Sequence, residues 1–233
     1  MTTGAAASPG ARRRPSLRVA QKEMTRRLLL TTAMELFESR GYPATTIDDI
    51  ANAAGTTRVT FYAHFPARID LIRALFADLN AFLQRDDTEG VPSDPTLVAA
   101  VRSGSRAAIA AWIDRSASRW PTVQPYLRVA DEAAITDPEI RALADRWWDE
   151  AYRDLVMGMD QAGRFDPATR RTRAELAFAQ LHHLATSWLR RGWQVADADA
   201  ELGVLTDGWL ALVGDGLTKS ISDLHYELFL DML

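Results

Sequence analysis

Apolar residues recur at intervals of three and four over almost the whole chain, and no stretch alternates apolar and polar residues long enough to read as a strand. This spacing predicts an all-α protein of roughly nine or ten helices with no internal repeat. The first helix runs from about Val19 to Arg40, with Leu29, Ala33, Leu36 and Phe37 on one face and Gly41 as its stop. Thr45 or Thr46 caps a short second helix, which carries Asp48 and Asp49 in its first turn and Ile47, Ile50 and Ala51 on its apolar side. Ala54 and Gly55 turn the chain, and a third helix starts at Thr56 or Thr57 and ends near His64. Pro66 reads as the first residue of a long fourth helix, with Ile69, Ile72, Leu75, Phe76 and Leu79 inward.

The polar stretch Asp86 to Pro95, with Gly90, Pro92 and Pro95, reads as a loop. Five helices follow, over about Thr96 to Arg119, Thr122 to Ile135 (interrupted by Pro125), from after Asp137-Pro138 to Gln161, Ala168 to Arg191, and Asp199 to Lys219. The apolar tail Ile221 to Leu233 predicts a short terminal helix, and residues 1–17, rich in Ala, Ser, Pro, Gly and Arg, a disordered basic arm. The expected organisation is a head over 18–65, a connecting helix over about 66–86, and a larger helical body over 87–233 for ligand binding and dimerisation.

Within the head, residues 41 to 65 outline a helix-turn-helix, in which one helix crosses the DNA backbone and the next lays its first residues on base edges. Charge agrees with this placement. The net charge is −4, yet through Arg73 the chain holds 11 Arg and Lys against 6 Asp and Glu, and the remainder 16 against 25. A basic head on an acidic body confines phosphate contact to the head. Arg12-Arg13-Arg14, with Arg18 and Lys22, suits either an arm reaching the minor groove or a solvated tail. There is no cysteine, so disulfides and thiolate metal sites are excluded and a reducing cytoplasm is expected, with nucleoid association when bound to DNA. Leu176 to Leu189, 14 residues without a formal charge, is too short to span a bilayer, so no membrane partner is expected.

Arg27 to Phe76 resembles the TetR family of transcriptional regulators. The resemblance rests on Leu-Phe at 36–37, Gly-Tyr at 41–42, Ala-Thr-Thr at 44–46, Asp-Ile-Ala at 49–51, Ala54-Gly55, Thr60-Phe61-Tyr62, His64-Phe65, Arg68 and Leu71. By position it implies phosphate contacts from Thr46, Thr60, Tyr62, His64 and Arg68, and base-facing roles for Thr57, Arg58 and Val59. Arg58 suits the bidentate reading of guanine. Two positions depart from the family pattern: Arg68 stands where lysine is commoner, and Thr56 replaces a usually apolar residue. Phe61, Phe65 and Tyr42 read as head core, and His64 is open between DNA contact and a helix-end cap.

In the body, Leu181, Leu184 and Trp188 form one stripe and Leu202, Leu205, Trp209 and Leu212 another. Packed against their copies they would make a four-helix dimer seam, as the resemblance also implies; the alternative is an intramolecular core. Trp112, Trp147, Trp148, Tyr152, Phe178 and His182 concentrate aromatics mid-body and are the candidates for a small-molecule pocket, each with plain core packing as the competing role. His182 and His183 lie about 100° apart on a helix and are poor partners for one metal. No cofactor is expected. Glycine-rich nucleotide loops, Gly-x-Ser-x-Gly, His-Glu-x-x-His and Glu-x-x-His are all absent, which argues against a helical enzyme. The expected function is a homodimeric repressor released from a palindromic operator on double-stranded DNA by a small-molecule effector, with a ligand-dependent activator as the alternative.

Overall fold

The computed structural model describes residues 17–85 and 91–215, and among these it contains ten α-helices and no strand. The predicted basic arm up to residue 16, residues 86–90 and the chain after Asp215, including the predicted terminal helix, lie outside the described residues. The helices are α1 (Leu17–Arg40), α2 (Ile47–Ala53), α3 (Arg58–His64), α4 (Arg68–Leu83), α5 (Pro95–Ser103), α6 (Arg106–Ala117), α7 (Trp120–Thr136), α8 (Pro138–Gln161), α9 (Pro167–Arg190) and α10 (Ala198–Val213).

Caps set most boundaries. Gly41 takes a left-handed φ of 81° after α1. Thr46, not Thr45, caps α2 in a reciprocal box: Asp49 N–H donates to Thr46 Oγ1 (3.1 Å), and Thr46 N–H donates to Asp49 Oδ2 (2.8 Å). Such a cap is worth about 1 kcal/mol. Thr45 is buried, with its hydroxyl donating to Gly41 O at 2.9 Å. Thr57, not Thr56, caps α3 by accepting from Thr60 N–H at 3.2 Å. An Asp-Pro pair opens α5, α8 and α9: the carboxylates of Asp94, Asp137 and Asp166 accept first-turn N–H groups, and the following proline needs no partner there.

Three predicted boundaries are corrected. Pro66 does not begin α4. It forces Phe65 into an extended conformation, and the helix starts at Arg68, where Asp70 Oδ2 accepts the Ala67 N–H at 3.0 Å. The single helix expected over Thr96 to Arg119 is two, because Gly104 turns left-handed (φ 65°) and Ser105 caps α6. Pro125 does not interrupt α7, which runs through it with one ladder bond missing.

The helices enclose two buried clusters. One gathers Phe37 (α1), Ile50 (α2), Phe61 (α3) and Leu71 to Leu79 (α4), then continues without a break into Leu127 and Ala133 of α7 and Ile140 of α8. The head therefore shares its core with the body. The other joins α5, α6 and α8 to α10 around Trp112, Leu155, Phe178 and Trp209. Gly158 lets α8 cross α5 closely, since a Cβ there would stand 2.7 Å from Val101 Cβ. Arg164 fastens the second cluster by donating to Val101 O (2.6 Å) and Val213 O (2.7 Å), a cation at the carbonyl ends of α5 and α10.

Candidate nucleic-acid interface and internal cavity

α2 and α3 are held at a fixed angle by Gly55 (φ 64°) and by Ile50 and Phe61, both fully buried beneath them. With Phe61 and Phe65 turned inward, the N-terminal end of α3 presents Thr57, Arg58 and Val59 to solvent, and Val59, on the side away from Phe61, is 80% exposed. Arg58 donates to Asp48 Oδ2 at 3.1 Å and to the Tyr62 hydroxyl at 3.4 Å, so α2 and α3 pre-orient its guanidinium. Thr46 is exposed at the N-terminus of α2, while Thr60, Tyr62 and His64 are half-buried. Burial, helped by the Lys22 and Arg26 charges, pulls the His64 imidazole below its ordinary value, so it is neutral at neutral pH.

Arg68 is turned inward. Its Nη2 donates to Tyr42 O (2.6 Å) and Thr45 O (2.8 Å), and its guanidinium lies 3.8 Å from the centre of the Tyr42 ring. The side chain ties α4 to the turn before α2.

Two contacts missed by sequence reasoning fasten this turn to the body. The Tyr42 N–H donates to Glu132 Oε2 at 2.8 Å, and Arg128 Nη2 donates to Glu38 O at 3.0 Å; both partners are on α7. Nothing local marks these residues, which are separated by 90 positions from the groups they hold.

The body encloses a cavity of about 450 Å³ between α5, α6, α7, α8 and α9. Trp112, Trp147, Trp148, Phe178 and His182 line it as expected, but Tyr152 does not. Tyr152 stacks behind Trp148 at 6.1 Å and lies under the Arg171 guanidinium, since its helical position carries it past the cavity wall. Trp147 reaches from the wall to α4, donating from Nε1 to Asn80 Oδ1 at 2.7 Å. At one end Asp154 accepts from Ser93 N–H, Ser93 Oγ and Asp94 N–H, and Asp94 accepts from Trp112 Nε1. Burial pushes the Asp154 carboxyl up despite those bonds.

The seven residues expected at a dimer seam divide. Leu181, Trp188, Leu205 and Trp209 are buried inside the protomer, and Leu181 lines the cavity. Trp188 donates to Glu201 Oε2 (2.6 Å) and Trp209 to Ala177 O (2.9 Å), so α9 and α10 spend these aromatics on each other and on α6. Leu184, Leu202 and Leu212 are half-buried. The outer side of the pair is a shallow apolar groove that includes Leu184, Ala200 and Val204, the last 72% exposed.

The profile of the bacterial regulatory proteins of the tetR family matches residues 29–75, which span the second half of α1 through the first half of α4. Likeness extends well beyond that segment. The HTH-type transcriptional repressor KstR2 of Rhodococcus jostii is 30% identical over 198 residues, covering 82% of this chain and 90% of that protein. The chain belongs to the TetR family. It is thus a DNA-binding transcriptional regulator. A second TetR-type relative, the transcriptional repressor LfrR of Mycolicibacterium smegmatis, is 31% identical over 52% of this chain and 67% of its own length. The fold matches the crystal structure of NalD, the secondary repressor of the MexAB-OprM multidrug efflux pump in Pseudomonas aeruginosa, with a TM-score of 0.58 at 19% identity, covering 81% of this chain and 97% of that one. Among the described residues no helix is long and apolar enough to cross a membrane.

Proposed function

We propose that this TetR-family regulator is a cytoplasmic homodimeric repressor, released from a palindromic operator when a small molecule fills the cavity among α5 to α9. The observation that carries the reading is the first turn of α3, which leaves Arg58 and Val59 in solvent while Phe61 and Phe65 anchor the head. Thr57, Arg58 and Val59 read bases. Thr46, Thr60, Tyr62 and His64 hold phosphates, and Arg68 sets the angle of the helix pair through its two carbonyl contacts. Two copies meet through the outer sides of α9 and α10, with Val204, Leu184, Leu202 and Leu212 at the seam.

Two physical routes join the cavity to the head. α7 presents Gln124 and Leu127 to the cavity, and its later turns hold the head through Arg128 and Glu132. Trp147 joins the cavity wall to α4 through Asn80. A ligand that displaces α7 or α8 thereby moves both heads, and about 1–3 kcal/mol of coupling is enough for a working switch.

Selection of bound sequences from a random DNA pool with the full chain tests the reading. The expected result is an enriched palindrome bound by a dimer, and release of that DNA by at least one member of a small-molecule panel. Enrichment of a single asymmetric half-site, or no enrichment, overturns it. With the releasing compound in hand, Glu132→Ala is expected to keep operator binding but shrink the ratio of ligand-free to ligand-loaded affinity several-fold, toward one. Glu132→Gln, which keeps an acceptor for the Tyr42 N–H, is expected to retain that ratio. A gel-shift titration of the three proteins decides; equal ratios in all three would remove Glu132 from the coupling.

A further inference from the structure

The charges around the cavity divide into those already used and those left over. Asp154 is satisfied by Ser93 and the Asp94 N–H, and Asp94 by Thr96, Leu97 and Trp112. Arg85, almost fully buried, donates to Trp147 O and pairs with Glu150 at 3.3 Å. The acids of the wall are therefore committed to this internal network. Arg115 and Arg119 also line the cavity, one turn apart at the join of α6 and α7. Among the described residues neither has an acidic partner or a side-chain hydrogen bond. Gln124, which is 2% exposed, and His182, whose Nδ1 is buried with no hydrogen-bond partner among the described residues, also line the cavity. A buried ring nitrogen without a partner costs stability unless something else satisfies it, and a ligand group can do so.

We propose that the cavity takes an amphipathic organic anion, a carboxylate on a ring-bearing apolar body. This inference deepens the reading that a small molecule fills the cavity. The acid group meets Arg115 and Arg119, where solvent still reaches and no full desolvation of charge is needed, and charge-assisted hydrogen bonds form. His182 bonds a polar atom of the body. The apolar end rests on Trp112, Trp148 and Phe178, whose rings meet edge to face at 6.0–6.4 Å centre to centre. A volume of about 450 Å³ suits a body of one or two rings with a short chain. A cationic ligand of the same shape would find two unpaired arginines and no uncommitted carboxylate on the wall.

Three probes with one tail separate charge from shape: ω-phenylhexanoate, the matching alcohol and the matching amine. In isothermal titration of the full-length protein near neutral pH, the carboxylate is expected to bind about tenfold tighter than the alcohol, and the amine more weakly than either. The double variant Arg115→Gln/Arg119→Gln, checked for an unchanged unfolding midpoint, should lose the carboxylate preference and keep the alcohol's affinity. An amine that binds as well as the acid, a preference unchanged in the double variant, or no binding of any probe at millimolar concentration overturns the proposal. Adding the carboxylate to the selected operator complex separates this inference from the one beneath it. Binding without DNA release leaves the anion site standing and removes this ligand class as the release signal.

Discussion

Trp209→Ala is expected to destabilise the protein by about 3–5 kcal/mol, the largest loss of any single truncation considered, because it empties the centre of the body. Trp209 is 1% exposed, stacks on Trp112 at 5.2 Å between centres, meets Phe178 at 5.7 Å, and donates its indole N–H to Ala177 O. Truncation removes the transfer energy of the largest side chain, opens a cavity the neighbouring rings cannot collapse into, and strands a buried carbonyl lone pair. The measurement is denaturant unfolding at several protein concentrations, followed by both fluorescence and circular dichroism. The midpoint should fall at every concentration. If the variant unfolded like the parent and only the dimer dissociated more easily, Trp209 would belong to the seam and not to the protomer core.

The second large effect is on DNA. Arg58→Ala is expected to weaken binding to the selected operator by about 1–3 kcal/mol, or roughly fivefold to more than hundredfold, while binding to random DNA changes much less. The reason is geometric. The Arg58 guanidinium stands exposed at the first turn of α3, already oriented by Asp48 and Tyr62, so little side-chain entropy is lost when it meets a base edge. Titration against operator and random duplexes at two salt concentrations checks this. A loss shared equally by both duplexes, with a shallower salt dependence, would make Arg58 a phosphate contact instead.

The two outcomes touch opposite ends of what could be read before the fold was known. The head was largely legible because its determinants are local. Thr46 and Asp49 are three residues apart, Gly55 needs only its own left-handed conformation, and Phe61 and Val59 fall on opposite sides of one short helix. Even there, the role of Arg68 was hidden. An arginine at the start of a helix suits phosphate in sequence, and only the approach of the Tyr42 and Thr45 carbonyls turns it inward. In the body, the sequence showed aromatics gathered mid-body but could not sort those that line the cavity from those that do not. Trp148 and Tyr152 are neighbours on one helix, yet only one reaches the cavity. Arg115, Arg119 and Gln124 read as ordinary polar positions, because a cavity is created by several helices at once.

Sequence alone determined the helical class, the position of the helix-turn-helix and the sides of α2 and α3, since these follow from periodicity, capping and turn chemistry within a few residues. The break at Gly104 was available to it in principle, as a glycine followed by a capping serine, but helical periodicity on both sides concealed it. Tertiary structure alone decided which apolar stripes face the protomer's own core. Leu205 and Trp209 carry the same hydrophobic signal whether they meet α6 and α9 or a second copy, because burial of apolar surface is non-directional. It alone also joined Glu132 to Tyr42, since that hydrogen bond needs a turn and a helix brought together across 90 residues of chain.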